Sequence, residues 1–72
     1  MWVYHSLIGD LFIRPMPDGT FGFEFDGTVW ECCNTPDAEA DNVRAHCTGC
    51  SDWDLYDNDF DTPFDLSDWE LT

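Results

Sequence analysis

The run Phe21-Gly22-Phe23-Glu24-Phe25 sets the tightest limit on how this chain can fold. Successive side chains of a strand point to opposite faces, so the three phenylalanines share one side while Gly22 and Glu24 take the other. Asp18-Gly19 and Asp26-Gly27 bracket the run, and an Asp-Gly pair supplies the positive φ that a tight reversal requires. Strands are expected on both sides of it. Trp2, Val3, Tyr4, His5, Leu7 and Ile8 lead into a Gly9-Asp10 turn and then Leu11-Phe12-Ile13, Pro15 to Gly19 is a loop, and Thr28 to Cys32 returns after the hairpin. Asp-Gly-Thr occurs at 18–20 and at 26–28, which is repeated hairpin chemistry and not a duplicated domain.

The middle of the chain changes character. Thr35 is a good N-cap, Pro36 suits the first helical position, and Asp37, Glu39 and Asp41 favour the positive end of a helix dipole. A helix is expected over Pro36 to Cys47, with Arg44 and His46 near its end, Gly49 stopping it, and Ala40, Val43 and Cys47 as its narrow apolar stripe. Ser51 to Asp57 alternates again and reads as an edge strand, Trp53 and Leu55 inward and Asp52 and Asp54 outward. Pro63 breaks regularity, and Asp65 to Leu71 is expected to be a helical turn or a mobile end. The fold class is α+β: a small antiparallel meander of three to five strands, one short helix, and an acidic C-terminal strand or tail. Residues 1–57 read as one domain and 58–72 as an acidic aromatic tail.

Sixteen acidic residues stand against two basic ones in 72, for a formal net charge of -14, and there is no lysine. Nucleic acid and anionic membrane are poor partners for such a chain, because phosphates are met by Arg and Lys. Yet 17% of the residues are aromatic, unlike disordered acidic tails, so a folded body is expected. No stretch reads as a targeting signal or a membrane span, so the expected location is the cytoplasm.

Four cysteines invite a metal reading. Cys47-Thr48-Gly49-Cys50 has the spacing of half a zinc site, and Cys33 and His46 are the residues to complete it. Cys32 and Cys33 are strand neighbours facing opposite sides, so only one of them joins easily. Zinc, packed reduced thiols and disulfides all stay open, with no cofactor as the leading expectation. Asp57, Asp59, Asp61, Asp65 and Asp68 follow a calcium-loop register, but Thr62 stands where that loop needs glycine. Catalysis has little support: no carboxylate pair is singled out, there is no phosphate loop, and His5 reads as structural. The chain is expected not to be an enzyme.

The last third remains, Ser51 to Thr72, with eight carboxylates, no cation and large apolar residues spaced through it. That texture suits a surface that steers toward a basic partner by charge and holds it with aromatics. The expected contact residues are Asp52, Trp53, Asp54, Tyr56, Asp57, Asp59, Phe60, Asp61, Phe64 and Asp65. In size, charge and acidic-aromatic texture the whole chain resembles the DNA-mimic inhibitors of phages and mobile elements, which include anti-CRISPR proteins and inhibitors of uracil-DNA glycosylase or restriction enzymes. The resemblance implies a phage protein acting as an inhibitor in the host cytoplasm. Its partner would be a basic nucleic-acid-binding protein, such as a CRISPR effector or a nuclease, blocked by occupation of its groove. Asn58 to Phe64 also resembles the acidic, Phe-ending tail with which bacterial single-stranded-DNA-binding proteins recruit repair enzymes, which implies an adaptor. A small zinc-stapled interaction domain is the other alternative.

Overall fold

The computed structural model describes all 72 residues. Strands β1 (Trp2–Ser6), β2 (Gly9–Pro15), β3 (Phe21–Phe25) and β4 (Thr28–Cys33) form an antiparallel meander. The short β5 (Glu70–Leu71) adds to the free edge of β1, giving the order β4-β3-β2-β1-β5. The register follows from the alternation of β3. Phe23 pairs with Ile13 and Phe25 with Leu11, while Tyr4 pairs with Leu11 and Trp2 with Ile13, so these residues share one face. Leu11, Ile13 and Phe23 are wholly buried there and Phe25 nearly so, as the sequence predicts. The opposite face carries Gly22 because a Cβ there would stand 2.9 Å from Val29 and 3.0 Å from Met16. The first turn falls two residues earlier than expected: Leu7 and Ile8 make it, and Gly9, at φ 136°, already opens β2.

Helix α1 (Pro36–Arg44) lies over the buried face, with the Thr35 hydroxyl accepting from the Ala38 N–H at its start. It ends sooner than Cys47. His46 takes the left-handed conformation (φ 54°), its N–H donates to the Val43 carbonyl, and the Cys47 N–H reaches the Asn42 carbonyl. This pair of bonds is a Schellman closure, made here on histidine and not on Gly49. The apolar stripe is corrected with it: Ala40 and Val43 are buried, but Cys47 lies beyond the helix and is exposed, and Cys50 takes the core position.

Residues 51–57 are not a strand. Ser51–Asp54 forms a single helical turn, α2, in which Trp53 is wholly buried while Leu55 is 83% exposed. The Trp53 indole N–H donates to the Val43 carbonyl at 2.8 Å, and its ring stacks on His46 at 4.6 Å. The Asp54 carboxylate turns back to accept from the Thr48 N–H and hydroxyl and from the Gly49 N–H. A local hydrogen-bonded turn therefore wins over the weak two-residue alternation. The segment 58–72 does not stand apart as a tail. Two short 3-10 turns, Asp59–Asp61 and Leu66–Asp68, lead to Trp69, which is buried in the main core against Tyr4. The reason is apolar: Pro63, Leu66 and Trp69 find cover only on the body. No helix is long and apolar enough to cross a membrane.

Candidate functional site

The C-terminal segment is fixed at one carboxylate. Asp61 is buried, and its oxygens accept from the Leu7 N–H at 2.7 Å, the Tyr56 hydroxyl at 2.7 Å and the Tyr4 hydroxyl at 3.1 Å. Burial alone would raise its pKa, but the three donors outweigh that and hold it below the usual aspartate value. The same contacts hold both tyrosines above theirs, burial and Asp61 acting on Tyr4, and Asp61 and burial on Tyr56. The bond to Leu7 ties the 3-10 turn bearing Phe60 to the β1–β2 turn. Phe60 is fully exposed, as Leu7 and Leu55 nearly are, with Asp57 and Asp59 exposed beside it.

Of the ten expected contact residues, Asp52, Asp57, Asp59, Phe60, Phe64 and Asp65 face solvent. Trp53, Asp54, Tyr56 and Asp61 do not. Trp53 fills the core, Asp54 closes the 48–50 turn, and Tyr56 donates to the buried Asp61. Asp65 caps the second 3-10 turn, and its bonds from Ser67 lower its pKa.

A second acidic zone escapes a reading confined to the C-terminal third. In a meander the β1–β2 and β3–β4 turns lie at the same end of the sheet. Ile8 and Asp10 from one, and Asp26 from the other, meet Asp52 of α2 around a cleft of about 570 Å³ that Phe12 and Phe25 also line. Three aspartates sharing a cleft with two phenylalanines suit a guanidinium or ammonium side chain. The sequence signal for it is Asp10 and Asp26, inside Gly-Asp and Asp-Gly pairs whose first meaning is backbone reversal.

Few cations oppose this acid. Arg14 pairs with Glu24 on the open sheet face. The Arg44 guanidinium lies 3.5 Å over the Phe64 ring. His5 is 2.8 Å from Asp10 and 3.5 Å from Glu70, and its bond and charge contact with Asp10 raise its pKa.

No protein-family model, curated protein or solved structure matches the chain.

The expected metal set is dispersed. Cys47 is exposed, Cys50 is buried in the core, and the His46 nitrogens face the Trp53 carbonyl and the Thr62 hydroxyl. All four cysteines are free. Cys33 meets different neighbours. Glu31 and Cys33 share the covered face of β4, paired with Phe23 and Phe21, and Glu39 descends on them from α1. The sequence assigns Glu39, with Asp37 and Asp41, to the positive end of the helix dipole and gives no sign of its burial. Glu39 is in fact wholly buried, because it sits one residue before Ala40 and four before Val43 on the sheet-facing side. Burial, with Glu31 adding to it and the Cys33 thiol opposing, raises the Glu39 pKa to about 8. Burial and Glu39 raise the Cys33 thiol to about 12.

Proposed function

We propose that the protein binds the basic, nucleic-acid-holding surface of another protein and competes with nucleic acid there, in the manner of a DNA-mimic inhibitor. The observation that carries this reading is Phe60: a fully exposed phenylalanine that follows the exposed Asp57 and Asp59, on backbone held by the buried Asp61. An apolar ring kept in water has no use for the fold, and its acidic surround fits a partner rich in Arg and Lys. The Asp10, Asp26 and Asp52 cleft supplies a second place for a cationic side chain. Internal engagement of Arg14 and Arg44 leaves little positive charge to weaken the attraction. Charge gives rapid encounter, screened beyond about 8 Å at physiological salt, and Phe60 gives residence.

The test begins with immobilised protein and a bacterial lysate, followed by competition with each purified retained protein. Titrating the partner's complex with DNA or RNA should release the nucleic acid in proportion to the protein bound. A ternary complex with undiminished affinity for both would overturn occupation of the groove. Residues 51–72 as a free peptide should bind far more weakly than the whole chain, because Asp61 loses Leu7 and Tyr4.

A further inference from the structure

We propose that Glu31, Cys33 and Glu39 form a binding site for one divalent zinc-class ion at the seam between β4 and α1. One oxygen of each carboxylate and the Cys33 sulfur all lie within 4.8 Å of one another. A tetrahedral zinc ion with bonds of about 2.0–2.3 Å would need ligand separations of roughly 3.3–3.8 Å, so a modest contraction closes the set. The decisive feature is Glu39. It has no exposed surface, and neither carboxylate oxygen meets a hydrogen bond of normal geometry, although one of them sits beside a second carboxylate and a thiol. A wholly buried carboxyl group with no well-formed hydrogen bond is costly in a folded chain, and a cation held by all three groups supplies the missing partner. Asn42, one turn further along α1, directs its side-chain amide at Glu31 (3.2 Å) and at the Cys33 sulfur (3.4 Å). An amide rotation would turn its oxygen toward the same point as a fourth donor. Glu31 and Cys33 are only half-buried, on the edge strand, so an ion has a way in. One thiolate among oxygen donors selects a borderline ion such as Zn²⁺ over Mg²⁺ or Ca²⁺. The site stands apart from the acidic contact surface, and neither reading depends on the other.

The test uses the full, reduced, metal-free chain at physiological ionic strength, with excess Mg²⁺ to occupy exterior carboxylates. Zinc titrated against a chromophoric chelator should bind once per chain. Cobalt should bind with a thiolate-to-metal charge-transfer absorption. Glu39→Gln, which keeps the side-chain size and removes the group that can bind the ion as a carboxylate, should weaken zinc at least about tenfold. Cys33→Ser should remove the charge-transfer band, and Cys47→Ser should leave both readouts unchanged. In the wild-type chain, zinc should slow alkylation of Cys33 but not of its neighbour Cys32, a readout that needs no variant to fold. Absence of stoichiometric zinc in the presence of Mg²⁺, cobalt bound without the thiolate band, or equal alkylation of Cys33 with and without zinc would each overturn the site.

Discussion

Replacing Asp61 separates two ways in which the C-terminal segment could be held. In Asp61→Asn one oxygen can still accept from the Leu7 N–H and the Tyr56 hydroxyl, while the new amide N–H₂ donates to the Tyr4 hydroxyl, which can rotate to accept. What is lost is charge assistance. Hydrogen bonds to a charged group contribute about 1.5–3 kcal/mol against about 0.5–1.5 for neutral ones, so two weakened bonds cost ~2–3 kcal/mol. Asp61→Ala removes the acceptor altogether and leaves the Leu7 N–H without a partner, at a cost of ~3–5 kcal/mol. A domain of this length has a total stability on the order of 4–11 kcal/mol, so the alanine variant stands near unfolding and the asparagine variant is the informative one. Urea denaturation of the three proteins at neutral pH is the assay. The pH dependence adds a sign. The folded-state pKa of Asp61 is lowered, so its stabilising contribution is fully present above the unfolded-state value, about 3.9, and is lost as pH falls through the lower folded value. The gap between wild type and Asp61→Asn should therefore hold from neutral pH to about pH 5 and close only in stronger acid. Equal stability of the asparagine and alanine variants, or a gap that closes above pH 5, would refute the three-donor account.

Phe23→Ala empties a wholly buried ring site between β2, β4 and α1, and should cost ~3–5 kcal/mol; an unchanged melting temperature would refute its central place. His5 should titrate by NMR above the ordinary histidine value, and Asp10→Asn should bring it back down, because the Asp10 contact is the main cause of the shift. With a partner in hand, Phe60→Ala should speed dissociation at least about tenfold without altering stability, since the ring makes its contacts outside the body. Asp59→Lys should instead slow association and flatten its salt dependence, with little change in dissociation.

The sheet and helix were legible because their causes are local. The alternation through Phe25, the Asp26-Gly27 pair and the Thr35-Pro36 start each act within a few residues, and each produced the expected element. The acidic surface was legible only as a total. Composition states that carboxylates outnumber cations, but Asp59, Asp61 and Glu39 look alike in sequence, and one is exposed while two are buried. The two-residue alternation of Trp53 and Leu55 likewise said nothing of the Val43 carbonyl that draws the indole inward. Hydrophobic pattern and turn chemistry thus determined that this chain makes a meander with one helix and that its exterior is anionic. Tertiary structure alone decided which acids serve the fold and which serve the surface. Two of the three donors that capture Asp61 come from Leu7 and Tyr4, 54 and 57 residues away, and no local propensity carries those pairings.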